Sequence, residues 1–268
     1  MRAEAWPCQA PAEVPATYAT LHLLRELIKR DFQARFTGSA LGVAWAVLQP
    51  LSLVVLYWFV FTFMIPGGRA GGSGGAYIYF LISGLIPWLG INEGLIRSTT
   101  SIVENGTIVR RVPLRSELLV IVPNVSAIIF ECIGLAIFLV ALIARGMPLH
   151  NLWLLPVAIG LQLTLQVGVG FFLAATYVFF RDLAQIVAFV LSILFYLSPI
   201  LYPVGGRFEA LFFWNPLTGL LGLFRSALLA SPLPDVSSIV FLLVAVTMVA
   251  GAGLLFFRRT RPTLVDLI

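Results

Sequence analysis

Long apolar runs that contain almost no charge constrain the fold of this chain more than any other feature. Of its 268 residues, 60% are hydrophobic and only 11% are charged. About a quarter of the residues in a soluble domain are charged, so this composition excludes an ordinary soluble protein. Only helices and closed barrels satisfy their backbone hydrogen bonds inside a bilayer, and barrel strands alternate in polarity. The uninterrupted runs therefore predict an all-α integral membrane protein.

Six of these runs are long enough to cross a bilayer, which takes roughly 20 apolar residues. The predicted spans cover residues 41–65, 76–96, 118–144, 152–180, 183–202 and 237–257. A further apolar stretch at 205–230 contains Asn215, Pro216 and Arg225, which favours external or re-entrant helices. A seventh crossing there is the alternative, and it would place the C-terminal arginines on the opposite side of the membrane.

The basic residues orient these six spans, because cytoplasmic loops carry an excess of lysine and arginine. With the N-terminus in the cytoplasm, most of the 17 basic residues fall on the inner side. The four on the outer side are Arg69, Arg145, Arg207 and Arg225. This bias predicts that both termini are cytoplasmic.

The remaining polar features of the termini and spans do not indicate a cofactor or metal site. Residues 1–19 are rich in Pro and Ala and lack the apolar core of a signal peptide, which predicts a flexible tail. Cys8 and Cys132 lie in this tail and in an apolar run, so both are interpreted as free thiols. His22 and His150 fall on opposite predicted sides, and no metal-ligand spacing is found.

Residues 20–36 predict an amphipathic helix at the cytoplasmic interface, just before the first span. Leu24, Ile28 and Phe32 follow a helical spacing, while the charged side chains cluster away from them. Such a helix rests its apolar face in the headgroup layer and is held by anionic lipid. The predicted headgroup contacts are Arg25, Lys29, Arg30 and Arg35.

A second basic and amphipathic segment, predicted as a helix at about 98–112, separates the second and third spans. The sequence here is "SIVENGTIVRRVPLRSELL", in which Pro113 ends any helix and Ser116 can begin the next one. A turn between spans needs only a few residues. The extra length and its own amphipathic pattern therefore predict a docking surface for a partner, although an ordinary positive-inside loop is the simpler alternative.

Several stretches together resemble one known family. The N-terminal stretch "LLRELIKRDFQARFTGSALGVAWAVLQPLSLVVLYWFVFTFMI" resembles the opening of ABC-2 type permeases that export O-antigen, capsule or teichoic acid. The stretch "GLIPWLGINEGLIRSTTSIVENGTIVRRVPLRSELL" is similar to their second span and cytoplasmic coupling helix. Later landmarks are "VFFRDLAQIV", "LSPILYPV" and "WNPLTGLLGLFRSALL". The likeness covers nearly all of the chain beyond the tail.

This resemblance implies an ABC-2 type transmembrane domain over residues 37–268 that forms a homodimer around a central channel. It implies export of a lipid-linked polysaccharide across the bacterial inner membrane, driven by two copies of a cytoplasmic ATPase. The residues that would contact this ATPase are Ser101, Ile102, Val103, Glu104, Asn105, Ile108, Arg110 and Arg111. No nucleic-acid partner is expected.

The chain itself lacks the sequence of a nucleotide-binding loop. A Walker A loop needs a lysine that follows a glycine-rich run, but the single lysine, Lys29, has no such run before it. ATP and Mg²⁺ would therefore bind to the partner, and the chain is predicted not to be an enzyme. The alternatives are an ABC-2 exporter of a drug or small lipid and, from another class, an ion-coupled transporter or membrane-embedded enzyme.

Aromatic rings and amides within the spans suit the passage of sugars, because rings stack on C–H faces and amides bind hydroxyls. The candidate channel residues are Tyr57, Phe61, Gln162, Gln166, Tyr177, Phe195 and Tyr196. Ordinary packing is the alternative for each aromatic ring.

Two acidic residues within the predicted spans also need partners. Glu93 is predicted to pair with Arg97, whereas Glu131 has no cation nearby in the sequence and either faces the dimer interior or is protonated.

Overall fold

A computed structural model describes residues 16–36, 41–60, 63, 74–106, 116–203, 212 and 214–267. Every regular element in these ranges is helical, and eight of them are α-helices. They are α1 (Ala16–Phe36), α2 (Trp45–Phe59), α3 (Gly74–Glu104), α4 (Glu117–Ala144), α5 (Leu154–Phe179), α6 (Leu183–Leu197), α7 (Pro216–Leu229) and α8 (Val236–Leu267). A short 3-10 turn at Gly42–Ala44 precedes α2.

Within the described ranges, four helices are long and apolar enough to cross a membrane, namely α3, α4, α5 and α8. Helices α2 and α6 have 15 residues each. At 1.5 Å per residue they extend roughly 22 Å, less than the ~30 Å hydrocarbon core. Part of the predicted first span lies outside the described residues. The α-helical membrane class is thus confirmed, while the number of six crossings remains a prediction.

Helix α3 lies at the centre of the bundle and packs against α4, α5, α6 and α7. The largest apolar cluster surrounds it and includes Leu85 and Trp88 of α3, Leu135 of α4 and Phe224 of α7. A smaller cluster joins Ile102 near the end of α3 to the helices α4, α5 and α8. Both clusters form because α3 packs against several neighbouring helices and buries apolar side chains against them.

Three ion pairs connect four helices at one end of the bundle. Near the end of α8, Arg258 and Arg261 lie 3.9 and 3.8 Å from Glu117, the first residue of α4. Near the end of α1, Asp31 pairs with Arg97, which is close to the end of α3. We call this end of the bundle the basic end, and it is defined by Arg30, Arg97, Arg258 and Arg261.

At the opposite end, α7 is a buried helix whose start and anchoring are encoded locally. The Asn215 side chain accepts a hydrogen bond from the Leu217 amide at 3.0 Å, and Pro216 occupies the first turn, so this pair begins the helix. The buried Arg225 donates a 2.5 Å hydrogen bond to the Pro199 carbonyl, beyond the end of α6. The placement of the whole 205–230 stretch as external or re-entrant remains a prediction, because 204–211 and 213 lie outside the described residues.

Helices α5 and α8 touch backbone to backbone. A Cβ atom on Gly168 would lie 2.7 Å from the Ala250 Cα atom, and one on Gly253 would overlap the Gly168 carbonyl oxygen. Small residues allow this close approach between membrane helices, where dispersion rather than the hydrophobic effect drives association. We call this contact the glycine crossing, and it consists of Gly168, Ala250 and Gly253.

Candidate functional site

Polar and small side chains line the contact between α3, α4 and α5 in the middle of the bundle. We call this the polar seam, and it consists of Gly90, Gly94 and Ser98 of α3, Asn124 and Glu131 of α4, and Gln162, Gln166 and Gly170 of α5. All of these side chains are buried. Their spacing of four or seven residues places each set on one face of its helix.

The glycines of the polar seam make room for the polar side chains opposite them. A Cβ atom on Gly90 would overlap the Glu131 carboxylate, and one on Gly94 would lie 2.7 Å from Asn124 Oδ1. A Cβ atom on Gly170 would lie 2.9 Å from Ser98 Oγ. The glycine positions on α3 and α5 therefore decide where Glu131 and Asn124 of α4 can be buried.

Hydrogen bonds satisfy only part of the polar seam. Gln162 Nε2 donates to the Glu131 carboxylate and lies 3.4 Å from the Pro87 carbonyl oxygen. Asn124 Nδ2 donates to the Val120 carbonyl in its own helix at 2.8 Å. Among the described residues, Glu131 Oε1, Asn124 Oδ1 and both amide atoms of Gln166 have no hydrogen-bond partner. Such atoms are costly in an apolar interior, and intramembrane polar groups of this kind mark functional positions.

A cavity of about 430 Å³ lies beside the polar seam, between α2, α3 and α4. We call it the lateral cavity. Its polar and aromatic lining consists of Trp45, Gln49, Asn92, Glu93, Arg97, Phe130 and Glu131. Glu131 thus belongs to both features: it binds Gln162 within the polar seam and also lines the cavity.

At the basic end, α1 is fixed to α3 and α4, two of the three helices that form the lateral cavity. Both terminal nitrogens of Arg97 donate to the Asp31 carboxylate, with an Nη1–Oδ2 distance of 3.0 Å. The ring of Phe32 stacks on that of Phe130 at 4.9 Å. Arg97 also lies 3.8 Å from Glu93, which is the pairing that the sequence predicts, but Asp31 is closer.

The predicted coupling segment begins as a direct continuation of α3, which extends without a break to Glu104. Glu104 is exposed, whereas Ser101 and Ile102 are buried inside the bundle. Val103 and Asn105 are partly buried, and Asn105 Nδ2 donates to the Ser101 carbonyl at 2.8 Å. The predicted contacts Ile108, Arg110 and Arg111 lie outside the described residues.

A second cavity, of about 260 Å³, separates this segment from α1. It is lined by Arg30 and Asp31 of α1 and by Arg97, Ser101 and Glu104 of α3. On α1, Arg25, Lys29 and Arg30 are exposed, while the side chain of Arg35 lies outside the described part. The structure thus brings the two predicted cytoplasmic elements side by side, although the sequence analysis treats them separately.

The predicted channel residues occupy separate positions in the single chain. Gln162 and Gln166 lie in the polar seam, and Phe195 packs against Trp88 with 5.7 Å between ring centroids. Tyr196 is 60% exposed, and the Arg181 guanidinium lies 5.4 Å from the Tyr177 ring. The side chains of Tyr57 and Phe61 lie outside the described part of the chain.

Most of the polar seam was not predicted from the sequence. Gln162, Gln166 and Glu131 were singled out, but the pairing of Glu131 with Gln162 was not predicted, and Asn124 was not considered. The four-residue spacing of Gly90, Gly94 and Ser98 is a signal that could have found the seam, since small residues at this spacing mark a close helix contact.

The chain matches the ABC-2 type transporter membrane family over residues 22–229. It therefore belongs to the ABC-2 type transporters, a family of membrane components of transporters.

Individual relatives carry more specific names. The chain is 27% identical to the O-antigen export system permease protein RfbA of Myxococcus xanthus, over 88% of this chain and 92% of the relative. It is also 27% identical to the RfbA permease of Klebsiella pneumoniae, over 92% and 95% of the two chains. The polysialic acid transport protein KpsM of Escherichia coli is 21% identical over 89% of this chain and 93% of its own length.

Proposed function

We propose that this chain is the permease subunit of an ATP-driven exporter that moves a lipid-linked polysaccharide, such as an O-antigen, across the bacterial inner membrane. The observation that carries this proposal is the family match together with relatives that are aligned over nine-tenths of their own length. The names of those relatives specify export of O-antigen or transport of polysialic acid. The buried polar seam fits a membrane protein whose interior serves more than packing.

The proposed complex contains two copies of this chain and two copies of a separate ATPase, which binds ATP and Mg²⁺. Both termini would be cytoplasmic. The clustering of basic side chains at one end of the bundle supports this orientation, because that end also receives the last turns of α8. The mass of the purified complex, measured with and without the ATPase, tests this stoichiometry.

The proposed path for ATP-driven motion runs from the ATPase into the segment 101–111. Glu104 is the exposed charge in its described part, and α3 connects it rigidly to the polar seam. The burial of Ser101 and Ile102 supports a role in holding the segment to the bundle. Movement of the ATPase would then displace α3 as a whole, together with the α1 helix bound to Arg97.

Deletion of the gene tests the proposed function most directly. We expect lipid-linked polymer to accumulate on the cytoplasmic side of the membrane, and expression of the intact chain to restore export. If the deletion strain exports polymer normally, the proposed function is wrong. Polymer export that continues after inactivation of every candidate ATPase would equally contradict it.

Charge reversals test the coupling path. The triple variant Glu104→Arg, Arg110→Glu and Arg111→Glu should lose both co-purification with the ATPase and export. The matched control is Arg145→Glu, an exposed arginine after the opposite end of α4. If the triple variant assembles and exports as well as the control, this segment is not the coupling surface.

A further inference from the structure

We propose that the lateral cavity is a binding site for one sugar ring of the exported polymer. This inference rests on the proposed function and adds a defined position for the substrate within a single chain. The cavity lies between α2, α3 and α4, at the side of the polar seam, and has a volume of about 430 Å³. That volume falls in the range of roughly 300–1,000 Å³ that is usual for small-molecule sites.

The lining contains groups that complement both surfaces of a pyranose ring, its apolar C–H faces and its hydroxyl groups. The indole of Trp45, 49% exposed, offers a flat apolar face to ring C–H groups. The side-chain amides of Gln49 and Asn92 offer both donors and acceptors to hydroxyl groups. The carboxyl groups of Glu93 and Glu131 add acceptors at two further points of the wall.

Glu131 provides the observation that points to a hydroxylated ligand. The residue is 4% exposed and lies at the middle of α4, and its Oε2 atom is bound by Gln162. Its Oε1 atom finds no partner in the described parts of the chain. An unmade hydrogen bond at a buried acceptor costs more than an average bond contributes. Oε1 itself has almost no accessible surface, so a rotation of the Glu131 side chain would bring it to the cavity wall, where a sugar hydroxyl, which both donates and accepts, can bind the carboxyl group.

Charge argues against a phosphate or a lipid headgroup as the occupant. Among the described residues that line the cavity, Arg97 is the one cation, and it is already bound to Asp31 and close to Glu93. The carboxylate of Glu93 would repel a phosphate. An acyl chain would fill the space but leave Glu131 Oε1 without a hydrogen bond. A neutral ring with hydroxyl groups satisfies the lining better than either.

The position of the cavity also fits a substrate that enters from the inner side. Its lining extends from Arg97, at the basic end, to Gly134 in the second half of α4. The α1 helix is fixed beside it through Asp31 and Phe32. A sugar that leaves the cytoplasmic interface would therefore meet the end of this cavity near Arg97 first.

Photolabelling of the full chain in nanodiscs tests the inference. The probes are octyl glucoside, octyl galactoside and octyl mannoside, each with a diazirine on the alkyl carbon next to the headgroup. Octyl phosphocholine with the same diazirine is the matched probe. We expect at least one glycoside to label the cavity walls on α2 or α4 more strongly than the phosphocholine probe does.

Two variants and one control make the labelling specific. Gln49→Leu and Glu131→Leu should each lower glycoside labelling about fivefold, which corresponds to one lost hydrogen bond. Gln49 is exposed and lies apart from the polar seam, so this variant folds even if the Glu131 variant does not. Gln185→Leu, at an exposed glutamine on α6, should leave labelling unchanged.

Three results would overturn the inference: no glycoside labels the cavity, the phosphocholine probe labels it equally, or Gln49→Leu has no effect. Equal labelling would identify a lipid site.

The phenotype of the deletion strain distinguishes failure of the sugar site from failure of the proposed function. If polymer accumulates in that strain but the glycoside and phosphocholine probes label the cavity equally, only the proposed sugar site is wrong. Normal export after deletion removes the proposed function itself.

Discussion

The glycine crossing and the polar seam both depend on glycines, but the glycines do opposite things. At the glycine crossing, Gly168 and Gly253 bring the backbones of α5 and α8 into direct contact. In the polar seam, Gly90 and Gly94 do not touch another backbone. They leave space that the side chains of Glu131 and Asn124 occupy. One contact is closed by main-chain atoms and the other by flexible polar groups.

This difference indicates which helices can move relative to each other. Two backbones in contact have no alternative packing at the same distance, so α5 and α8 should behave as one rigid pair. Amide and carboxyl side chains can exchange hydrogen-bond partners. Asn124 Oδ1 and both amide atoms of Gln166 have no hydrogen-bond partner among the described residues. We therefore expect conformational change to occur at the polar seam, where α3 also carries the predicted coupling segment, because packed elements change between discrete arrangements.

The largest expected effect comes from a side chain placed in the glycine crossing. Gly253→Val should destabilise the folded chain by about 3 kcal/mol or more, because the clash is with the Gly168 backbone and cannot be relieved by a rotamer change. Thermal unfolding in detergent, followed by size-exclusion chromatography, measures this effect.

The matched control for this variant lies two residues away on the same helix. A Cβ atom on Gly251 would meet nothing within 4 Å, so Gly251→Val should unfold at nearly the wild-type temperature. Equal destabilisation by the two variants would show that loss of glycine, rather than the contact between α5 and α8, is responsible, and the rigid pair would have no support.

A methyl group in the polar seam should have a smaller effect that a second substitution can relieve. Gly90→Ala should cost about 1–2 kcal/mol, because it pushes against the movable end of Glu131 and disturbs its bond to Gln162. Combined with Glu131→Ala, the added cost of the methyl group should largely disappear. A double-mutant cycle measures this coupling.

Gly134→Ala is the control for the polar seam, since its nearest contact would be an ordinary 3.4 Å to Ile86. It should change stability little, with or without Glu131→Ala. Additive effects of Gly90→Ala and Glu131→Ala would mean that the methyl group does not act through Glu131, and the contrast between the two contacts would be lost.

The sequence was sufficient for the four long membrane helices and insufficient for the contacts between them. The third predicted span, 118–144, differs by one residue from α4, Glu117–Ala144, because the length of an apolar run fixes where a helix can lie in a membrane. The continuation of α3 to Glu104 was not predicted, since polarity after residue 96 suggested a separate element although no helix breaker intervenes before Gly106. Hydropathy also cannot show which face of α3 meets Glu131.

Within the polar seam, the two glutamines should respond oppositely to loss of polarity. Gln166→Met removes two amide atoms that have no partner in the described ranges, so stability should stay the same or rise by up to about 1 kcal/mol. Gln162→Met should lower it by about 1–2 kcal/mol, because the Glu131 carboxyl group loses its donor.

These two variants are each other's control, because they make the same chemical change one turn apart on α5. Export should fall in both if the polar seam moves during transport. Equal destabilisation by the two would indicate that Gln166 has partners of its own in the folded chain. A stable Gln166→Met variant with full export would show that its amide group is dispensable for transport.

The smallest expected effect on stability concerns the ion pair that connects α1 to this movable side of the bundle. Asp31 and Arg97 are partly exposed, so Asp31→Asn should cost only about 0.5–1 kcal/mol. Asp182→Asn, at an exposed aspartate before α6, is the control with no expected change in stability.

Export should nevertheless fall in Asp31→Asn, because α1 would no longer follow α3. The exchange of both charges, Asp31→Arg with Arg97→Asp, should restore part of it. If the exchanged pair restores stability but not export, Arg97 acts on the substrate or on Glu93, and α1 does not need to move with the polar seam.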